Sequence, residues 1–132
     1  MQYQTSLNRD ELIDLAINQY FAKVDAKAID DALACFHDTA LFTVQTAFTT
    51  HEGKAGIRRM FEDFMGAYKT ITHKDFTCTV DEKNGRIAAS FVAELEDHDG
   101  NWTTLHNTNF WRVRGDKFEE VYVYMSGANP LT

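Results

Sequence analysis

One short stretch of the sequence combines the residue types of a β-strand with side chains that can transfer protons. Residues 105–113 read LHNTNFWRV, so four polar residues stand in a row among aliphatic and aromatic ones. Histidine is the residue type that exchanges protons near neutral pH, which makes His106 the candidate general acid or base. Because successive side chains of a strand point to opposite faces, the sequence predicts polar groups on both faces of this strand.

The pairing of this strand with the next one decides which of its side chains face inward. Gly115 and Asp116 are predicted to form a two-residue turn, which places Arg114 opposite Lys117. Continuing that register predicts one face that forms the wall of a cavity: His106, Thr108, Phe110, Val121, Val123 and Met125. The opposite face is polar and aromatic, a composition typical of protein interfaces, and consists of Asn107, Asn109, Trp111, Glu120, Tyr122 and Tyr124.

Hydrophobic periodicity predicts three helices in the first half of the chain. The first begins at Asn8, since Asn8 and Glu11 have the spacing of a capping box. The second is predicted over residues 28–36, and a strand over residues 40–45 follows it. The third begins after the letters HEGK and carries apolar residues at helical spacing: Ile57, Met60, Phe61, Phe64, Met65 and Tyr68.

Four strand-like runs follow the third helix and complete the chain. They cover residues 71–80, 87–96, 102–114 and 118–125, and short turn signals separate them. Strands joined by such short turns form an antiparallel meander. Helices that precede an antiparallel sheet predict an α+β fold, here as a single domain over residues 1–132.

This order of elements resembles the nuclear transport factor 2-like superfamily, which includes ketosteroid isomerase, polyketide cyclases and scytalone dehydratase. The local likeness is strongest in NQYFAKVDAKAIDDALACFHDTALF and in HEGKAGIRRMFEDF. The resemblance implies a cone in which a curved antiparallel or mixed sheet wraps around three helices and a cavity. It also implies a homodimer through the outer sheet face, here through Asn107, Asn109, Trp111, Tyr122 and Tyr124.

This sequence matches only some of the catalytic residues of ketosteroid isomerase and the polyketide cyclases. Tyr20 matches the tyrosine of ketosteroid isomerase, but the base of that enzyme falls at about Val44 and its second acid at about Thr108. The polyketide cyclase acid falls near Ser126. Valine cannot take up a proton, so steroid isomerase activity is not expected.

His106 and Tyr20 then form the predicted catalytic pair, similar to the histidine and tyrosine of a scytalone dehydratase pocket. An imidazole can exchange a proton while a phenol polarises a carbonyl or a leaving hydroxyl. In the alternative, His106 hydrogen-bonds within the inner wall and Tyr20 is a core residue. The residues predicted to bind a ligand in the same cavity are Phe42, Val44, Phe61, Phe64, Thr108, Phe110, Val123 and Met125.

Composition excludes several other classes of partner. The chain has 20 acidic and 13 basic residues, a formal net charge of −7 and no basic stripe, so neither nucleic acid nor an anionic membrane is an expected partner. No apolar run approaches the roughly 18 residues of a membrane span and no leader is recognised, which predicts a cytoplasmic protein. Cys35 and Cys78 lack metal-site spacing. His51 and His73 are expected in loops beside the third helix, outside the site, so no metal and no cofactor are predicted.

The sequence therefore predicts a domain that binds a small apolar or hydroxylated molecule. As an enzyme it would be a cofactor-free lyase or isomerase that uses acid-base chemistry on a hydroxylated or carbonyl compound. The alternative is a non-catalytic ligand-binding or dimerisation module.

Overall fold

A computed structural model describes residues 3–127 and 129–132, and its first helix begins where the capping box predicts. The Asn8 side chain accepts a hydrogen bond from the Glu11 backbone N–H at 2.9 Å, and the Glu11 carboxylate accepts one from the Asn8 N–H at 3.0 Å. These two bonds satisfy backbone donors that the first turn leaves without partners. The helix runs as α1 (Arg9–Asp14), a π-helical segment (Leu15–Phe21) and α2 (Ala22–Asp25).

The two other helices are α3 (Ile29–Leu33) and α4 (Gly53–Ala67). Helix α3 is shorter than predicted because Phe36 already belongs to the sheet, where it pairs with Phe118. In α4 the predicted apolar stripe is buried from Ile57 to Met65 and packs toward the sheet. A 3₁₀ turn covers Gln45–Ala47.

Six strands of the described residues form one curved mixed sheet. They are β1 (Phe36–Val44), β2 (Thr49–Glu52), β3 (Tyr68–Asp81), β4 (Arg86–Asp97), β5 (Trp102–Arg114) and β6 (Lys117–Tyr124), arranged in the order β2-β1-β6-β5-β4-β3. The predicted meander from β3 to β6 is confirmed, and β1 joins it parallel to β6. Strand β2 was not predicted. The α+β fold class is confirmed.

The sheet curves around the helices, and an aromatic core fills the space between them. Tyr20 lies in the centre of this core with ring contacts to Phe36, Phe61, Trp111 and Phe118 at centroid distances of 5.6–6.3 Å. Aromatic pairs in such tilted and edge-on geometries add to the stability that burial provides. The helices and this inner face of the sheet therefore define the interior of the domain. No helix among the described residues has the length and apolar character that a bilayer span requires.

The predicted faces of β5 are wrong, because β6 contains a β-bulge. The turn is as predicted, with Arg114 opposite Lys117, and Val113 pairs with Phe118. The next pair, however, joins Arg112 to Glu120 and leaves Glu119 as the extra residue. A bulge of one residue moves every later residue of the partner strand to the opposite face. The inner face of β5 consequently consists of Leu105, Asn107, Asn109, Trp111 and Val113, and its outer face carries His106, Thr108, Phe110, Arg112 and Arg114.

Candidate functional site

A small cavity lies between the helices and the inner face of the sheet. Its walls are mainly apolar and aromatic, and the polar side chains among them are Tyr20, His73, Asn107 and Asn109. The unfilled space is about 20 Å³, which is room for about one water molecule. The polar groups in this apolar wall are the part of the interior where specific chemistry can occur.

His73 lines this cavity and forms a hydrogen-bonded pair with Asp25, which lies behind the lining residues. Asp25 Oδ1 lies 2.5 Å from His73 Nδ1, and Asp25 Oδ2 accepts a hydrogen bond from the His73 backbone N–H at 2.8 Å. The His73 side chain is 9% exposed and that of Asp25 is 24% exposed. A carboxylate accepts hydrogen bonds, so the proton of the neutral imidazole is assigned to Nδ1. Nε2 then keeps its lone pair, and no described residue forms a hydrogen bond with it.

Two local features of the chain bring this pair together. Asp25 is the last residue of α2, and the Asp25 bonds to His73 tie the end of that helix to the middle of β3. In β3 the register with β4 shifts between Lys74 and Thr77, and Asp75 in that bulge has a positive φ of 58°. Bulges re-aim the side chains beside them and are frequent near active sites. The bulge allows His73 to face the interior on the same side as the later apolar residues of β3.

Aromatic rings fix the His73 imidazole from the sides. The Phe21 ring lies 4.5 Å from it at an interplanar angle of 32°, and the Phe91 ring lies at 5.5 Å. Phe21 belongs to the π-helical segment, which also carries Tyr20. Burial raises the pKa of the Tyr20 hydroxyl above its usual range, as do the nearby Cys35 and Asp25 to a smaller extent. Tyr20 therefore keeps its proton at neutral pH and can act as a hydrogen-bond donor.

Asn107 and Asn109 supply amide groups from β5 on the opposite wall. Asn107 Oδ1 accepts a hydrogen bond from the Ser126 backbone N–H at 3.4 Å, which ties β5 to the chain beyond β6. Asn109 is 3% exposed, and its Oδ1 has no partner among the described residues. An unpaired buried acceptor costs about 1–3 kcal/mol. Asn109 Oδ1 is therefore a place where the O–H or N–H of a bound molecule would be stabilised.

The structure brings together only part of the site predicted from the sequence. Tyr20 lines the cavity with five of the predicted ligand-binding residues, namely Phe42, Phe61, Phe64, Val123 and Met125. Val44 is fully buried but does not line the cavity. Thr108 and Phe110 lie on the outer face of the sheet because of the bulge in β6.

His106 also lies on the outer face, so the predicted catalytic pair of His106 and Tyr20 does not meet. The His106 side chain is exposed, and its backbone N–H donates to Ser126 Oγ at 2.8 Å. The same shift corrects the predicted dimer surface, because Asn107, Asn109 and Trp111 are buried in the interior. Of that predicted set, Tyr122 and Tyr124 are on the outer face.

The two residues that form this acid-base pair are not identified from the sequence. His73 was expected in a solvent-facing loop, but it belongs to β3 and lines the cavity. The signal for β3 was present, since residues 71–80 were predicted as a strand that contains this histidine. His73 lies two positions after the apolar Ile71, and side chains two positions apart in a strand lie on the same face of the sheet. His73 is therefore expected to face the interior, as Ile71 does. Asp25 gave no comparable signal, because its role depends on a contact across 48 positions of the chain.

The described residues contain no group of three or more His, Cys, Asp or Glu side chains with the arrangement of a metal site. The candidate site therefore consists of one Asp-His pair, a buried tyrosine and two buried asparagines in an aromatic wall. Such a set can move a proton to and from a small molecule and can hold that molecule by hydrogen bonds.

Comparison with known proteins relates this chain to a family and to several solved structures. The SnoaL-like domain family matches residues 17–121. A protein assigned as a polyketide cyclase from Xanthomonas campestris pv. campestris has a similar structure, with a TM-score of 0.81 and 18% identity over 89% of this chain and 92% of that chain. A protein assigned as an aromatic ring hydroxylase from Novosphingobium aromaticivorans gives a TM-score of 0.79 and 26% identity over 92% and 90%.

The structure of SalBIII, described as an epoxide hydrolase/cyclase-like enzyme of pyran ring formation in salinomycin, is also similar. Its TM-score is 0.78 at 16% identity, over 89% of this chain and 92% of that chain. A search of curated protein sequences gives no match to this chain. At these identities the structural likenesses establish the fold.

Proposed function

Because the chain belongs to the SnoaL-like domain family, we propose that it is a small-molecule enzyme whose own side chains perform acid-base chemistry. It would act as a lyase or isomerase on a hydroxylated or carbonyl compound. The observation that carries this proposal is the part-buried Asp25–His73 pair, in which His73 lines the cavity.

His73 supplies the proton-transfer group in this proposal. Its Nε2 takes a proton from a carbon next to a carbonyl, and the imidazolium that forms stays bonded to the Asp25 carboxylate. In an isomerase the same nitrogen returns the proton to a different carbon of the substrate. In a lyase it gives the proton to a departing hydroxyl, and one molecule of water leaves.

The other polar groups of the cavity hold the reacting molecule in place. The Tyr20 hydroxyl, which stays protonated, donates to a carbonyl oxygen on which negative charge develops. The unpaired Asn109 Oδ1 accepts a hydrogen bond from a substrate hydroxyl. The Phe42, Phe61 and Phe64 rings favour an apolar or aromatic carbon skeleton. The structural likeness to a protein assigned as a polyketide cyclase and to SalBIII supports this proposed substrate class.

A spectrophotometric screen tests this function. Purified protein is incubated with a panel of cyclic β-hydroxy ketones and β,γ-unsaturated ketones, and the absorbance of the conjugated enone product is followed. We expect at least one compound to be converted by the wild type and not by His73→Asn. Conversion that is equal in the two proteins would overturn the proposed role of the pair, and so would a complete absence of conversion across the panel.

A second proposal concerns assembly, since the outer sheet face carries exposed aromatic side chains. Phe110 is 45% exposed and Tyr124 is 44% exposed, and their rings meet edge to face at 5.8 Å. They border a groove of about 530 Å³ that also includes Tyr122. Aromatic residues are enriched at protein interfaces. We expect this face to join two copies of the chain through Phe110, Tyr122 and Tyr124.

A further inference from the structure

The small volume of the interior cavity raises the question of how a ligand enters it. The space of about 20 Å³ accepts one water molecule, whereas ligand pockets typically measure about 300–1,000 Å³. Most of the wall belongs to the sheet or to helices, where backbone hydrogen bonds resist displacement. Three lining residues lie outside every helix and strand: Met125, directly after β6, and Pro130 and Leu131 further along the chain.

Residues 129–132, here called the strap, are held over the cavity by a few local contacts. The Leu131 carbonyl accepts a hydrogen bond from His51 Nε2 at 2.7 Å, and Asn129 Oδ1 accepts one from Thr46 Oγ1 at 3.0 Å. The Leu131 side chain is buried among the cavity residues, although the strap has no strand partner. Segments with so few contacts open at a small fraction of the free energy of global unfolding.

The chain just before the strap is fixed more firmly. The Ser126 hydroxyl accepts a hydrogen bond from the His106 backbone N–H at 2.8 Å, and the Ser126 N–H donates to Asn107 at 3.4 Å. At Gly127 an added Cβ would lie only 2.8 Å from Leu105 Cδ2, so the backbone passes close to β5 there. The strap therefore has a fixed base on one side and a side chain inserted in the cavity on the other.

We infer that the strap is a movable wall of the cavity and that Leu131 occupies, in the closed form, part of the volume that a ligand takes. A ligand enters as Leu131 withdraws and the His51 bond to its carbonyl breaks. This inference rests on the proposed function, because it treats the cavity as the ligand site. The strap also selects among ligands, because each ligand must supply the free energy that displacing Leu131 costs.

The test follows the leucine methyl groups by NMR during titration with 4-fluorophenol, a small aromatic hydroxyl compound that can enter the cavity only if Leu131 withdraws. The methyl signals of Leu131, assigned with Leu131→Ala, are expected to move to the position of an exposed leucine such as Leu41. Leu105 lines the same cavity from within β5, so its methyl signals are expected to remain at buried positions. Leu131 signals that stay buried at saturation, or no binding of 4-fluorophenol, would overturn the inference.

A matched pair of histidine variants tests the anchor of the strap. His51→Ala removes the hydrogen bond that holds the closed form, and we expect 4-fluorophenol to bind about fivefold more tightly, since more of the protein is open. His98 Nε2 also bonds a backbone carbonyl, that of Gly66 at 2.8 Å, and it does not line the cavity, so His98→Ala should leave the affinity unchanged. Equal affinities of His51→Ala and wild type would contradict the anchor.

These binding measurements are independent of catalysis. If His73→Asn keeps full turnover while Leu131 moves on binding, the proposed chemistry fails and the strap inference stands. If Leu131 does not move while His73→Asn loses turnover, the strap inference fails and the proposed chemistry stands.

Discussion

At the scale of single residues, the Asp25 carboxylate acts on His73 in two ways. It bonds both the ring and the backbone N–H of the same residue, so it fixes the orientation of the imidazole. It also determines which nitrogen carries the proton, and it stabilises the imidazolium that forms when His73 accepts another. In its neutral form, His73 therefore has Nε2 available to accept a proton from a bound molecule.

Asp25→Asn is predicted to lower turnover by about 10²-fold or more while the fold is kept. The amide can present its N–H to Nδ1, so the Nδ1–H tautomer loses its preference. The ¹⁵N shifts of the His73 ring report this change directly. Asp30→Asn, which removes an exposed ion pair with Arg58, is the matched control and should leave turnover unchanged. Unchanged His73 shifts in Asp25→Asn would contradict the orienting role.

Asn107 and Asn109 offer a comparison between structure and function on one face of β5. Asn109→Leu removes an acceptor that has no partner, so the free energy of unfolding should rise by about 1 kcal/mol, while binding of hydroxylated ligands weakens. Asn107→Leu breaks the bond to Ser126 and should instead destabilise the fold. Urea unfolding and 4-fluorophenol titration of both variants measure the two effects. Equal destabilisation of the two would refute a ligand role for Asn109.

At the scale of elements, the β3–β4 turn depends on one glycine. Gly85 has φ +63°, and an added Cβ would lie 2.7 Å from the Val113 carbonyl oxygen, which belongs to β5. Gly85→Ala is therefore predicted to lower the free energy of unfolding by about 2–4 kcal/mol. Gly100 also has a positive φ but no atom within 4 Å of an added Cβ, so Gly100→Ala should cost only about 1 kcal/mol. Thermal and urea unfolding measure the loss of unfolding free energy in the two variants. Equal losses in Gly85→Ala and Gly100→Ala would show that the close approach to Val113 has no energetic role.

Element types were more predictable from the sequence than the faces of β5. The capping box at Asn8 and the apolar spacing of α4 are local signals, and both are confirmed. The bulge at Glu119 depends on packing between strands, and it reversed the face assigned to His106. A signal was nevertheless present: Phe118 and Val121 are three residues apart, so both can face inward only if a bulge lies between them.

The helix-to-strand contact that forms the site was beyond prediction from local patterns. Asp25 and His73 are 48 positions apart, and only the packing of α2 on β3 brings them together. Tyr20 is predictable from the sequence because it matches the tyrosine position of the family that the chain resembles. The resemblance marks no functional residue at His73, which is expected from the sequence in a loop beside the third helix.

At the scale of the whole molecule, the outer sheet face is predicted to join two copies of the chain. The double variant Phe110→Glu/Tyr124→Glu places charges on the exposed aromatic pair and should give a monomer, whereas we expect the wild type to be a dimer in light scattering after size exclusion. Phe48, 96% exposed beside the 3₁₀ turn, provides the control, since Phe48→Glu should not change the mass. A monomeric wild type at micromolar concentration would exclude this assembly.

The most direct test of the central claim is deuterium wash-in at the carbon from which His73 removes a proton. A ketone converted by the wild type is incubated in D₂O, and NMR follows the loss of its α-proton signal. His73→Asn should lower the exchange rate by about 10²- to 10⁴-fold, whereas His106→Asn, which alters the exposed histidine of the outer face, should exchange as the wild type does. Exchange that survives in His73→Asn, or that is lost in His106→Asn, would contradict the assignment of His73 as the proton-transfer residue.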